Sequence, residues 1–424
     1  MRVLIRGGRV IDPVNKKDEA LDILIDAGKI SRVAKDLPDK IENTIDAKGK
    51  IILPGLVDMH VHLREPGRED KETIASGTQA AIHGGVTALL AMPNTEPAID
   101  SPQQVRLLKQ IIDRDSRTDT FIAAAITKSR LGEELTDIPA LKKEGVIAIT
   151  DDGSSVDNEK IMLKAFQIAR QENILVICHC EDKALSAKGV VNWGFTATRM
   201  GLRGIPKESE YQRVARDLKL AGQAKARIHI AHVSCRESVE LIAEAKKKGL
   251  AVTAETAPHY FSLSEEAVLG FDTNTKMNPP LRGEADLTSI KQGLRDGIID
   301  AIASDHAPHT ESEKDIEFER AGFGVIGLQT SLSVAITHLI DSGLINWARL
   351  AELMSIAPAK ILGIDKGTLS PGKSADIIIV SPDKEWLVQK NNCISKSKNS
   401  PFLGKKLKGI IEYTIYKGQI VYKA

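Results

Sequence analysis

Asp58-Met59-His60-Val61-His62-Leu63-Arg64-Glu65-Pro66 closes an apolar run that begins at Gly55. Two histidines two positions apart on an extended chain project from one face. That spacing lets both imidazoles reach a single metal ion, and an arginine follows at once. A satisfied pair of core histidines needs neither the repeat nor the arginine.

Outward from this stretch, short apolar runs alternate with amphipathic ones as far as about Ile361. Eight strand candidates cover 55–63, 86–94, 120–127, 146–152, 174–181, 227–234, 251–258 and 301–307. Helical periodicity fills most of the gaps, as at 102–114, 158–171, 234–248 and 285–295. The pattern predicts an α/β fold, a distorted (β/α)8 TIM-type barrel with its site at the C-terminal ends of the strands. A doubly wound sheet would want a glycine-rich phosphate loop after the first strand, and here His-x-His stands in that place. Both chain ends are β-rich instead, at 3–11, 22–30, 375–380 and 413–422. We therefore expect a small β-sandwich domain built from 1–54 and 362–424, with the catalytic barrel, 55–361, inserted between. Residues 390–408 form a lysine-rich connector with the composition of a loop.

The 424 residues are 42% hydrophobic and 27% charged with a net charge of +1, the balance of a packed globule. Interspersed charges give no basic face for nucleic acid or a membrane surface. No apolar run approaches the roughly 20 residues of a transmembrane helix. Met1-Arg2-Val3-Leu4-Ile5-Arg6 enters a strand pattern directly rather than a signal peptide, which predicts a cytoplasmic protein. Four cysteines are too few and scattered for a disulfide framework. Cys178 and Cys180 flank His179 on the opposite face of a strand and are expected to be buried, inert thiols.

Polarity at strand ends carries the functional signal. The first candidate strand ends in His60 and His62, the fourth in Asp151-Asp152, the fifth in His179, the sixth in His232 and the eighth in Asp305. Packing alone does not put ligand-type residues at the same end of five strands; imidazoles and carboxylates are the usual donors to zinc and similar ions. Period-2 alternation favours Asp152 over Asp151, because Asp152 shares a face with Ala148 and Thr150, whereas Asp151 shares one with Ile147 and Ile149. Asp305 shares its face with Ala301 and Ala303, which suits a crowded barrel interior. The same test does not decide His179 or His232, whose faces carry Ile177 and Ile230. His83, His229 and His338 read as core or surface residues, and His259 either borders the site or is structural.

The opening stretch resembles the first signature of dihydroorotases, in the amidohydrolase superfamily. Ala303-Ser304-Asp305-His306-Ala307-Pro308-His309, with Lys314 beyond it, resembles their second. Met92-Pro93-Asn94-Thr95, Thr150-Asp151-Asp152-Gly153, Glu255-Thr256-Ala257-Pro258-His259 and Asn278-Pro279-Pro280-Leu281-Arg282 follow in the family's order, and the likeness is to its longer class I members. The resemblance implies reversible cyclisation of N-carbamoyl-L-aspartate to L-dihydroorotate in pyrimidine biosynthesis. It implies one or two zinc ions per subunit: one on His60, His62, Asp152 and Asp305, a second on His179 and His232, with Asp152 bridging. No lysine lies between Lys143 and Lys160, so the carboxylated lysine that bridges metals in many amidohydrolases is not expected.

A metal ion lowers the pKa of water toward about 7 and polarises a carbonyl. Asp305 is the expected general acid/base by position and by resemblance. Arg64 is the expected fork for the substrate carboxylate, assisted by Asn94 and His309; its alternative is a surface pair with Glu65. By resemblance, His62, Leu63, Asn278 and Phe323-Gly324 complete the substrate contacts. The polar segment 309–324 is expected to close over substrate, with Gly322 and Gly324 as hinges. A homodimer and a complex with aspartate carbamoyltransferase are the expected partnerships. The competing readings are a related cyclic amidase, allantoinase- or dihydropyrimidinase-like, and an inactive dihydroorotase-like scaffold. The absent lysine argues against the first and the full ligand set against the second.

Overall fold

The computed structural model describes residues 2–37 and 41–424. The strand pattern read from the N-terminus is seen from Arg2 onward, and Met1 lies outside the described residues. Eight parallel strands follow one another in sequence order: β1 (Leu56–Val61), β2 (Val86–Ala91), β3 (Asp119–Ala124), β4 (Ala148–Ile149), β5 (Leu175–Cys178), β6 (Ile228–Ile230), β7 (Val252–Thr256) and β8 (Ala301–Ile302). All eight predicted strands are present, trimmed at their ends. The barrel closes between β8 and β1 by little more than a bridge from Val61 to His306, beside which the His62 amide donates to the His306 carbonyl at 2.8 Å.

Helices α1 (Ile74–His83), α2 (Pro102–Asp115), α3 (Ile138–Lys143), α4 (Glu159–Glu172), α5 (Glu208–Ala224), α6 (Arg236–Lys247) and α7 (Glu284–Asp296) fill the crossovers. Side chains begin two of the long ones. Ser101 caps α2 and Asn158 caps α4, each accepting a first-turn N–H. Small and medium residues line the barrel interior: Val57, Met59, Ala88, Leu90, Ala123, Ala148, Ile177, Ala301 and Ala303. Ile149, Val176, Ile228, Ile230 and Ile302 face the helices. Ala359, Ile361 and Leu362 join the interior cluster from the C-terminal helical stretch. Among the described residues, no helix is long and apolar enough to cross a membrane.

The expected β-sandwich takes the form of one continuous, curled sheet. Strands from the N-terminal residues (Arg2–Asp12, Lys17–Asp26, Lys29–Ala34, Thr44–Asp46, Ile51–Pro54) hydrogen-bond with strands from the C-terminal ones (Ile377–Leu387, Lys406–Tyr416, Gln419–Lys423). The join is Ile51–Pro54 against Ile377–Leu387, and Lys29 curls back to bridge Ser374. One face buries Val3, Ile5, Ile23, Ile25, Ile52, Ile377 and Ile379 in a core of its own. The other face, with Leu53, Ile378, Val380 and Ile411, belongs to the core of the barrel. Alternation along one strand thus serves two cores at once.

The connector is a loop as expected, but it does more than join strands. It crosses the β8/β1 closure and is stitched to the barrel there. Gln329 binds Asn392 O and Ile394 N at 2.9 Å each; Glu72 accepts from Ser395 Oγ and, at 3.1 Å, from Lys396 N; Ser397 Oγ donates to Lys71 O at 2.7 Å.

Only Gly55 separates the sheet strand Ile51–Pro54 from β1. A Cβ on Gly55 would stand 2.2 Å from Thr87 Oγ1 and 2.6 Å from its Cγ2. Thr87 is buried and β-branched, so it has no rotamer into which to retreat. Gly55→Ala should therefore destabilise the protein by about 1–3 kcal/mol, and adding Thr87→Ala should recover part of the loss. Thermal and urea unfolding of the two variants read this directly; a Gly55→Ala protein as stable as its parent would contradict it.

Candidate metal centre and substrate site

Strand alternation explains some of the mouth, and departures from alternation explain the rest. Asp152 follows Ala148 and Asp305 follows Ala303 onto the interior face, as predicted. His179 follows Ile177 in the same way, leaving Cys178 and Cys180 buried against the helices as free thiols. On β1, Val57 and Met59 point inward, which by strict alternation would send His60 and His62 outward. A bulge intervenes: Asp58 pairs with Leu89 but Val61 with Ala91, one residue extra on β1. Asp58 braces it, its carboxylate accepting from His60 N at 3.2 Å and from Ser304 N at 3.1 Å. On β6, Ile228 and Ile230 face the helices, and His232 turns inward because it adopts a left-handed φ of 34°. Asp305 is left-handed too, at 48°. Both are non-glycine residues in a strained region.

These local devices bring all six predicted ligands together. Asp152 is shared: Oδ2 lies 3.3 Å from His60 Nε2 and 3.4 Å from His62 Nε2, and Oδ1 lies 3.3 Å from His232 Nε2 and 3.5 Å from His179 Nδ1. Asp305 Oδ1 is 3.3 Å from His62 Nε2 and 3.7 Å from His60 Nε2. His179 Nδ1 and His232 Nε2 stand 2.9 Å apart. Asp151 looks away and accepts from the main chain of Ile126 and Thr127. The choice of Asp152 agrees with this arrangement.

The donor set suits a metal. His60 Nε2 is fully buried, faces two carboxylates and has no hydrogen-bond partner. Its other nitrogen, Nδ1, lies 2.6 Å from Glu255 Oε1, while His62 Nδ1 lies 2.7 Å from Asn94 Oδ1. An acceptor on Nδ1 fixes the tautomer that leaves the Nε2 lone pair for a metal. Burial by itself would raise Asp152 and Asp305, but the surrounding imidazoles outweigh it and hold both well below the usual carboxylate range. Both are therefore anions at neutral pH, ready to ligate. Two overlapping groups, His60-Asp152-His232 and His60-His62-Asp305, each lie close enough to hold an ion.

The predicted substrate residues lie around this centre with different degrees of freedom. Arg64 makes no pair with Glu65, whose carboxylate instead accepts from Ile74 N at the start of α1. Its Nε donates to Pro308 O at 3.1 Å, and burial lowers it only to about 10, so it stays cationic at neutral pH. Leu63 packs its side chain against Gly77 of α1, leaving only its main chain for a substrate. Asn278 lies beside Glu181, whose Oε2 lies 3.3 Å from His179 Nε2. His309 Nε2 is 2.7 Å from Phe323 O, so this ring already has a partner. Of the two predicted hinge glycines, Gly324 has a φ of 130°, whereas Gly322 is required by space, its missing Cβ lying 2.6 Å from His309 Nδ1.

Three participants were missed or left open. Glu255 is buried on β7 between His60 and His229, with Oε2 at 3.3 Å from His229 Nε2, and these imidazoles outweigh burial to pull it down to about 2. A glutamate on a strand otherwise built of small, apolar and threonine residues was the available signal. His229, read as a core or surface residue, is buried and paired with Glu255. His259 borders the site: its Nε2 is buried without a partner, and burial pushes it down to about 4 against the opposing charge of Asp305.

A parallel barrel with a His/Asp cluster at its C-terminal mouth and a sheet made of both termini defines a metal-dependent amidohydrolase. The structural neighbours agree: L-hydantoinase (dihydropyrimidinase) from Arthrobacter aurescens superposes with a TM-score of 0.90 at 26% identity, over 99% of this chain and 96% of that one. A D-hydantoinase at 23% identity shares the fold, with a TM-score of 0.88 over 100% and 95% of the two chains. The Dihydro-orotase-like family model matches residues 49–238. Sequence relatives are more specific: the dihydroorotase of Elusimicrobium minutum is 51% identical over 99% of this chain and 97% of its own. That of Geotalea daltonii is 47% identical over the whole of both. The chain belongs to the dihydroorotase family.

Glu255→Gln keeps the size and one hydrogen bond but removes the charge behind His60. We expect affinity for a divalent metal ion to fall about 10–100-fold, read with zinc as the probe by competition with a chromophoric chelator. An unchanged dissociation constant would show that Glu255 does not support the ligand.

Proposed function

We propose that this chain interconverts N-carbamoyl-L-aspartate and L-dihydroorotate, with one or two zinc ions held at the barrel mouth. The observation that carries the reading is the pairing of a carboxylate shared by four imidazoles with an arginine that makes no salt bridge among the described residues. The first suits hydrolysis of an unreactive amide, and the second suits a substrate bearing a carboxylate. The full-length relatives named as dihydroorotases support the same assignment.

His60, His62, Asp152 and Asp305 would hold one ion, and His179, His232 and Asp152 a second. Bound there, zinc supplies Lewis acidity toward the substrate carbonyl and toward water. Asp305 takes a proton from the attacking water and returns it to the ring nitrogen as the C–N bond breaks; ring closure runs the same transfers backwards. The surrounding imidazoles outweigh burial and hold its pKa low, so the carboxylate is ionised when substrate arrives. Arg64 receives the substrate carboxylate through its two Nη groups in fork geometry. Asn94 has its Oδ1 committed to His62 and offers its amide N–H groups. The main chain at Phe323 and Gly324, with Asn278, borders the ring. Chain residues 144–159 contain no lysine, which sets this site apart from a carbamate-bridged cyclic amidase.

Asp305→Asn should lower turnover by at least about 100-fold while the protein stays folded and retains most of its metal. Arg64→Lys should raise KM for carbamoyl aspartate by about tenfold or more, because a point charge loses the fork. The ultraviolet assay of dihydroorotate ring opening measures both. Near-normal turnover in the first variant removes Asp305 as the base; an unchanged KM in the second places the carboxylate elsewhere.

A further inference from the structure

The segment that borders the site from Ala307 to Ile326 leaves β8 and returns beside it. Its middle is held by two buried lysines, one of them its own, that bind main-chain carbonyls. Lys276 Nζ donates to Phe318 O at 2.8 Å and Glu319 O at 2.9 Å, and Lys314 Nζ donates to Gly322 O at 2.7 Å. Its two feet are held by something else. Asn399, from the connector between the C-terminal strands, accepts from His309 N through Oδ1 at 3.1 Å. Its Nδ2 donates to Ala307 O at 3.2 Å on the outgoing foot and to Gly324 O at 3.1 Å on the returning one. Its own carbonyl accepts from Ile326 N at 3.0 Å. The feet otherwise share a main-chain bond from Ala307 N to Val325 O, at 2.8 Å, and the contact of His309 Nε2 with Phe323 O, at 2.7 Å.

We propose that Asn399 is a positioning residue for the reaction: it sets the distance between His309 and Gly324 and thereby the width of the substrate-side wall. The chemistry demands an amide. One end must accept from an N–H and the other must donate to two carbonyls, and among side chains of this size only asparagine does both. Asn399 is 4% exposed, so a bond it loses leaves a largely buried polar group to satisfy. The anchors at Gln329, Glu72 and Ser397 hold the connector on the barrel just ahead of it, so the amide arrives on a fixed backbone. The inference rests on the reading that His309 and Phe323-Gly324 border the substrate.

Asn399→Asp is isosteric but turns a carboxylate oxygen toward two carbonyls, and Asn399→Ala removes the clasp. Either should raise KM for dihydroorotate about tenfold with kcat within about twofold of the parent. Trypsin should also cut faster after Arg320, an exposed residue within the segment whose cleavage needs no activity. A lowered thermal midpoint with KM and the Arg320 cut unchanged would make Asn399 merely structural and overturn the proposal. Should neither variant fold, amide exchange in the unaltered protein decides: the His309 and Ile326 amides should be protected, and free exchange of His309 would overturn it. Arg64→Lys is the control. If it raises KM and the Asn399 variants do not, only this inference fails; if neither alters KM, the substrate reading falls and this inference with it.

Discussion

The mouth of this barrel is organised by one shared anion. Asp152 is almost wholly buried, and its two oxygens face different pairs of imidazoles. A buried charge is tolerated only where partners surround it. Those partners come from β1, β5 and β6, so the strands must end at matching heights. Glu255 extends the same logic one layer down, where a second buried carboxylate is flanked by His60 and His229. Removing either carboxylate would leave neighbouring imidazoles without the charge that orients them.

Much of this was legible in the chain, and the reasons are local. Eight apolar runs separated by helical periodicity gave the barrel, because burial on both faces of a parallel strand writes itself as hydrophobicity. Small residues at Ala148, Ala301 and Ala303 marked the interior face and so picked out Asp152 and Asp305. His232 resisted the same test for a physical reason: its left-handed backbone breaks the period on which the test depends. His60 and His62 were recognised by their repeat, yet their inward direction depends on a bulge that no spacing rule announces. Glu255, Asn399 and the connector's anchors act across long sequence separations, where pattern is silent and only folding brings the groups together.

The barrel's weakest joint is also where its chemistry sits. β8 has two residues, and its tie to β1 is a bridge at Val61 and His306. Asp305 and the bulge carrying His60 lie on either side of that joint. Reinforcement comes from Asp58 below, through Ser304, and from the connector above, through Glu72 and His306. A short strand frees its C-terminal residues from the ladder, which lets Asp305 take the backbone conformation the ligand set requires. Side-chain hydrogen bonds supply the rigidity that the ladder gives up.

A sheet woven from both ends has a consequence for the order of synthesis. Ile51–Pro54 leaves the ribosome long before the strand it pairs with, Ile377–Leu387. At roughly 5–20 residues per second, the interval is on the order of tens of seconds. Throughout it the nascent chain carries an uncovered strand edge rich in isoleucine and leucine, the kind of edge that recruits other chains. The same delay applies to the site: metal ligands from residue 60 onward are made long before Asn399 arrives to join the feet of the loop. The polypeptide therefore acquires its protected edge and its finished substrate wall together, only after the later strands of the sheet have been made.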